Sequence, residues 1–483
     1  MKKNYLIIVS LLSLFSVGAQ AQGVAIDFSK YEGSQIINSD FENWGEDDYK
    51  GVPIGWHSFE SVGGNALLVL FAKSFDHTSK NTTGLHDGTI GEACLKLVPR
   101  SINMSSNPII ANGTITTGRM NAGAASASDP KNHAWMDISN TATNNGTPFY
   151  AKLSERPVAL SVWVKFTQGT AQREHPYATV SAAITNGKRY QEPTANNDSS
   201  MIIGYAKNNT ISTNGGQWQH LYLPFNYDSK YYNKTDAPQA IMVTFSTNAD
   251  PGQGSEGDVL LIDDLELIYS QSVTIPECGY ATFTNVAMNN HNVIIPEGIT
   301  AYAISAKTTG ELMVKDVFKA GQALPSQAAV LLAGMPGEYE FKTALYEKEV
   351  TIDTEGDACM VKGIEYNAQV DGYKYYRLLT KNNILGFYPV GNGDKIKPQE
   401  ALLRVKSEMA ENDYPHVLVK PALKGDLNGD GNVTITDVTL LVNRLLKNKE
   451  KGEFFINDGD VNEDNAITIS DVVKMVSIIL GSE

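Results

Sequence analysis

"RPVALSVWVKF", residues 156–166, is the stretch that decides what kind of fold this chain has. Val158, Leu160, Val162 and Val164 fall on one face of an extended backbone and Trp163 on the other. That two-residue period belongs to a half-buried strand and not to a helix. The β-branched residues suit a pleated surface. The same alternation returns in "QWQHLYLPFNY" (217–227), "QAIMVTFST" (239–247) and "GDVLLIDDLELIY" (257–269). Gly, Asn, Ser and Thr crowd the intervals and favour turns. Few helical stripes interrupt residues 24–270, so the economical arrangement is an antiparallel β-sandwich of jelly-roll type.

Working outward, "VTIPECGYATFTN" (273–285), "NVIIPEGITAYAIS" (292–305), "AAVLLAG" (328–334) and "YYRLLT" (375–380) read as further strands. They give a second β-rich region, 271–421, a spacer without a motif that points to chemistry. From residue 424 the period changes. Val438, Leu441, Val442 and Leu445, then Val472, Val476 and Ile479, recur at helical spacing, so residues 424–483 form a small all-α domain. The chain is therefore expected to be mostly β, with two β-rich domains and a helical tail.

At the other end, Lys2 and Lys3 precede an apolar run from Tyr5 to Phe15 and small residues around Ala19–Ala21. Residues 1–21 read as a secretory signal peptide cut after Ala21; the run is shorter than the roughly 20 residues a membrane span requires. The mature chain is expected outside the cytoplasm, whether extracellular, at the cell surface or in the periplasm. A net charge of −15 with no basic block excludes an electrostatic footprint for nucleic acid. The three cysteines Cys94, Cys278 and Cys359 are far apart and odd in number, so they argue no disulfide framework.

The helical tail carries the densest chemistry. In "GDLNGDGNVTITDVTLLVNRLL", from Gly425, a twelve-residue loop offers oxygens at its positions 1, 3, 5, 7, 9 and 12. These are Asp426, Asn428, Asp430, the Asn432 carbonyl, Thr434 and Asp437, with Gly431 at the sharp turn. A Ca²⁺ ion asks for six to eight such ligands in that spacing. The stretch from Gly459 repeats the set as Asp460, Asn462, Asp464, the Ala466 carbonyl, Thr468 and Asp471. There Asn465 replaces the glycine, a residue that tolerates the left-handed turn. Two calcium ions are expected in the tail.

Paired loops, each followed by a helix, with Asp at position 12 and Val433 or Ile467 at position 8, resemble the dockerin module. The resemblance implies a cohesin-like protein partner, contacted through Ile435-Thr436 and Ile469-Ser470. Thr436 and Ser470 keep the hydroxyl of the family pattern, whereas Ile435 and Ile469 depart from its small or polar residue.

"NSDFENW" (38–44), "GVPIGWHSF" (51–59), "GTITTGRM" (113–120) and the closing "VLLIDDLELIY" (259–269) resemble, in order and spacing, the Putative carbohydrate metabolism domain of secreted glycan-degrading systems. The resemblance implies a carbohydrate ligand. It also implies a third, structural calcium at Glu42, Asp263 and Asp264, where first and last strands meet. Sugar sites combine aromatic platforms with amides and carboxylates; the candidates are Trp44, Trp56, Trp135, Tyr190, Tyr231 and Tyr232. Trp163 and Trp218, inside strong strands, read as packing.

Other motifs fail. "GQGSEG" (252–257) matches a dinucleotide fingerprint in letters, yet a strand and not a helix follows it. His57, His77, His86 and His133 fall in polar turns and read as surface histidines. Asp137, Glu155, Glu174 and Glu192 are present without a spacing that marks them as catalytic, and the catalytic residues of any enzyme here stay unassigned. The leading expectation is non-catalytic glycan binding by the sandwich, with calcium-dependent tethering by the tail. A glycoside hydrolase serving polysaccharide catabolism and a structural or adhesive scaffold component are the alternatives.

Overall fold

The structure, a computed structural model, describes residues 26–46, 51–89, 91–102, 109–170, 174–193, 199–284, 291–306, 312–326, 328–345, 358–363, 371–381, 384–391, 394, 396, 400–408, 410, 414–415, 425, 433–446, 454–455, 461–462 and 468–481. The chain is mostly β. The amino-terminal part is a sandwich of two five-stranded antiparallel sheets. The first runs β11 (Ala151–Lys152), β17 (Ala240–Ser246), β13 (Ala178–Thr185) and β15 (Ile202–Ile211), with β6 (Thr114–Thr116) also paired to β17. The second runs β16 (Gln219–Pro224), β12 (Ala159–Thr167), β18 (Val259–Ile268), β3 (Cys94–Leu97) and β2 (Thr78–Asn81).

β12 keeps the alternation of its sequence. Leu160, Val162, Val164 and Phe166 are fully buried between the sheets, and Trp163 lies on the outer face. β13 and β17 do the same from the facing sheet with Val180, Ala182, Ile184, Ile241, Val243 and Phe245. The expected meeting of first and last segments is present. The Gln35 side-chain amide both donates to the Leu267 carbonyl and accepts from the Leu267 N–H (2.6 and 2.8 Å), and the Leu265 N–H donates to Ser39 O at 2.9 Å.

A third, smaller sheet covers the outer face of the first. It comprises β1 (Gly63–Gly64), β7 (Arg119–Ala122), β8 (His133–Met136) and β14 (Tyr190–Glu192). Between these layers lies a separate apolar cluster that includes Met136, Ala183, Tyr190, Ile202, Ala240 and Met242. The short helix α1 (Ala66–Ala72) follows β1, its first turn capped by the Asn65 side chain, which accepts from Leu67 and Leu68 N–H. The hairpins β4 (Arg100–Ile102) with β5 (Ile109–Ala111), and β9 (Thr143–Asn144) with β10 (Thr147–Pro148), complete this part.

The second β-rich region begins at Ser270–Ile275, which pairs with Gly337–Thr343. A larger sheet is built around Ile299–Ala306, Ala329–Gly334, Ala358–Lys362 and Ala401–Lys406. This region is packed onto the sandwich. One continuous core holds Leu265, Leu267 and Tyr269 together with Ile275, Phe283 and Phe341. Across the junction Tyr269 N–H donates to Thr343 Oγ1 at 2.9 Å and Leu345 N–H to Glu266 Oε1 at 2.6 Å. His291 stacks between Tyr31 and Tyr269, with ring centroids at 4.9 and 5.6 Å.

In the tail, α2 (Ile435–Leu445) and α3 (Ile469–Ile479) pack through Val438, Leu441, Val461 and Met475. Phe454–Phe455, between the two loops, pairs in parallel with Leu312–Phe318 of the second β region. No described helix is long and apolar enough to cross a membrane.

Candidate functional site

A groove of about 640 Å³ lies over the outer face of the first sheet, beside the small third sheet. The two-residue period makes its floor. In β13, Val180, Ala182 and Ile184 point into the core, so Thr179 and Ser181 point the opposite way. Register extends these hydroxyls into rows: Ser181 sits opposite Thr244 and Lys207, and Thr179 opposite Ser246. Thr179, Ser181, Thr244, Ser246 and Lys207 all line the groove.

Glu192, at the end of β14, organises one end. Its Oε1 accepts from Tyr205 OH at 2.5 Å, its Oε2 from Ser181 Oγ at 3.0 Å, and Lys207 Nζ stands 3.9 Å away. Tyr190, Tyr205 and Tyr232 gather around it. Burial, then the Glu192 charge, pushes all three phenols above their ordinary range, so they stay neutral hydroxyls. His133 also lines the groove; its Nδ1 faces Pro130 O at 3.0 Å and its buried Nε2 has no hydrogen-bond partner. A cluster of tyrosine rings, hydroxyls and one carboxylate can hold a polyol, whose hydroxyls both donate and accept.

Of the six expected sugar-site aromatics, only Tyr190 and Tyr232 line this groove. Trp56 is 1% exposed and packs against Phe41 and Phe245, a core residue. Trp44 turns its Nε1 to Phe41 O at 2.5 Å. Trp135 lies under the Arg189 guanidinium, 4.3 Å from the ring centre, and Tyr231 is 66% exposed beside Lys230. Tyr205, Ser181 and Lys207 carry no signal in the sequence, and Glu192 stands there only among carboxylates without a marking spacing. The carboxylates lining the groove are Glu192 and Asp129, the latter accepting from Lys131 N–H at 2.9 Å.

The histidine expectation fails for three of four. His57, His77 and His86 are buried, 0%, 2% and 4% exposed, because His57 packs on Phe149, His77 on Phe59 and His86 on Trp163. Burial holds His57 and His77 down to about 4, so both are neutral at pH 7.

His86 belongs to a second cluster. Its Nε2 lies 2.9 Å from Asp264 Oδ2 and 3.7 Å from Asp263 Oδ2, and its Nδ1 lies 2.9 Å from Asp87 O. A carbonyl can only accept, so Nδ1 carries a proton, and Nε2 needs a proton or a cation to face carboxylate oxygens. Asp264 is held at φ +44°, a left-handed backbone that a short polar residue tolerates. Asp263 Oδ2 and Asp264 Oδ1 are buried without hydrogen-bond partners. Burial, then the neighbouring Asp264 charge, raises the Asp263 carboxyl far above its usual range. Asp40 is likewise raised by burial, to about 6. Glu42 Oε1 accepts from the N–H groups of Glu92 and Ala93, each at 2.9 Å. His86, Asp263 and Asp264 are the described residues whose ligand atoms lie close enough to share a metal ion. Calcium takes oxygen ligands, whereas imidazole suits ions such as zinc.

In the tail, Asp426, Asn428, Asp430, Asn432, Asp460, Asp464 and Ala466 lie outside the described residues. Thr434, Asp437, Asn462, Thr468 and Asp471 lie within them. Asp437 and Asp471 are fully buried at the starts of the two helices. Asp437 Oδ2 accepts from Thr434 N–H at 2.8 Å. Asp471 accepts from Val461, Asn462 and Thr468 N–H, at 2.8, 3.2 and 2.8 Å, and closes the second loop on itself. Burial alone would raise the Asp471 carboxyl, but these N–H groups hold it below its usual value, as an anion facing the loop. Such a group is what a calcium loop needs at its twelfth position. Ile435, Thr436, Ile469 and Ser470 are all exposed at the two helix starts, the isoleucines 69% each.

Comparisons with known proteins fall on the same two regions. Residues 28–268 match the family described as Putative carbohydrate metabolism domain, and residues 424–480 the Dockerin type I domain. No curated protein matches. Among solved structures, a putative glycoside hydrolase from Bacteroides thetaiotaomicron is similar at 21% identity. That match covers 48% of this chain and 70% of that one, with a TM-score of 0.33. The chain thus carries a Putative carbohydrate metabolism domain in its amino-terminal half and a Dockerin type I domain near its carboxyl end.

Proposed function

We propose that this is an exported glycan-binding protein, whose sandwich takes a sugar in the groove beside Glu192 and whose dockerin domain tethers it, with calcium bound, to a cohesin-like partner. The observation that carries the first part is the convergence of Tyr190, Tyr205, Tyr232, Ser181 and Glu192 on one end of a single groove. The second part is supported by the duplicated ligand spacing and by the buried, loop-facing Asp437 and Asp471. Two calcium ions occupy the loops, and Ile435 and Ile469 give the partner surface an apolar character unlike the small or polar pattern.

The cluster of His86, Asp263 and Asp264 holds one divalent cation that pins the closing strand β18 to the loop carrying His86. Asp40 and Glu42 add negative charge near it. Titrating a glycan array, then measuring the hits by calorimetry in calcium buffer with Tyr205→Phe and Glu192→Gln, tests the binding reading. Retention of full glycan affinity by both variants removes the groove from consideration. Release of reducing ends from a bound glycan would move the reading to hydrolysis.

A further inference from the structure

The groove has two chemically different halves. Its other wall is apolar: Val62 just before β1, Leu68 and Phe71 from α1, Ile102 and Ile109 from the β4–β5 hairpin, and Met120 from β7. Of these, Leu68, Phe71, Ile102, Ile109 and Met120 are only half-buried, so they present apolar surface to the cavity. A bare polysaccharide has no use for such a wall. Its hydroxyls would be desolvated against aliphatic carbon without partners, and unpaired burial of a hydroxyl is costly. The sugar's own apolar ring face is already served by the tyrosines.

We infer that the ligand is an acylated glycan, with the sugar at the Tyr190–Tyr205–Glu192 end and a short aliphatic acyl chain along Leu68, Phe71 and Met120. This rests on the glycan reading of the groove and names its substrate class. The cavity of about 640 Å³ accommodates a sugar and one short chain; it is too small for a lipid with several long chains. Lys207 and Glu192 mark the polar end, and no described cation lines the aliphatic end, so the acyl group enters as a neutral chain.

The test uses the full chain in calcium buffer and alkyl glycosides as probes, each below its micelle concentration: methyl, hexyl and octyl members with glucose, galactose and N-acetylglucosamine heads. Each buried methylene is worth about four-fold in affinity, so the octyl member is expected to bind at least ten-fold tighter than the methyl one for the accepted head. Leu68→Ser and Phe71→Ala, on partly exposed positions, are expected to cut the octyl-over-methyl ratio to below about three-fold. Tyr205→Phe is expected to weaken both members equally. If methyl and octyl glycosides bind alike, the acyl inference falls and the glycan reading stands. If octanoate or sugar-free vesicles bind as well as octyl glycosides, the site is a general apolar one and both fall. Absence of binding by every head and chain also overturns both.

Discussion

Lowering the pH from 7.5 to 5.0 should destabilise the sandwich through His57, by an amount the structure fixes. His57 is 0% exposed and stacks on Phe149, with ring centroids 4.5 Å apart. Its Nε2 donates to Pro148 O at 3.0 Å, and Asn144 Nδ2 stands 3.5 Å from its Nδ1, so the neutral tautomer is satisfied as it is. Burial first, and then the Arg119 charge, hold the ring down from 6.5 to about 4. In the unfolded chain it protonates near 6.5, so between these values the unfolded state binds more protons. The stabilisation is therefore complete above about 6.5 and is lost as the pH falls toward 4. At pH 5 the loss is about 2 kcal/mol from this residue alone. For a cooperative unit that includes the second β region that is roughly 2–3 °C in Tm. His57→Gln, whose amide can still donate to Pro148 O, removes the titration. Its Tm at fixed calcium should fall about 2–3 °C less than wild type over the same pH step. His77 and His291 are likewise held at about 4, so the wild-type chain should lose more than this one increment. Equal falls for wild type and His57→Gln would refute the argument.

Three further outcomes are expected. Phe166→Ala, at a fully buried site between the two large sheets, should cost about 3–5 kcal/mol in a urea titration, by lost transfer energy and the cavity left behind. Chelation should reduce far-ultraviolet helical signal from α2 and α3 and leave the β signal in place, and Asp471→Ala should give the same loss with calcium present, since Val461, Asn462 and Thr468 N–H all lose their acceptor. His86→Ala, which removes one ligand group from beside the buried Asp263 and Asp264, should destabilise the sandwich by about 3–5 kcal/mol. Rescue of that variant by added calcium, zinc or neither, followed by thermal melting, identifies what the cluster holds.

The strands of the sandwich were legible because one face of each is buried, and burial writes a two-residue period into the sequence. The dockerin domain was legible for a different reason: its motif residues are contiguous. The groove was not, because its polar end is assembled from Ser181 on β13, Glu192 on β14 and Tyr205 on β15, which only register brings together. Glu192 looked like any surface carboxylate, and β13, "ATVSAAIT", gives a weak signal because most of its residues are small. Trp56 and the buried histidines were misplaced for a shared cause. Residues between strands read as surface, yet these turns pack onto aromatic rings distant in sequence: Trp56 on Phe245, His57 on Phe149 and His86 on Trp163.

The family boundary at residue 268 runs through the apolar core, not beside it, since Leu265 and Tyr269 share one cluster with Ile275, Phe283 and Phe341. The unit that evolution copies is thus smaller than the unit that melts. A fragment ending at 268 would carry a raw hydrophobic edge and be prone to self-association. Calorimetry on residues 26–415 should show a single cooperative transition, in which the second β region behaves as the other half of a keystone and not as a passive arm.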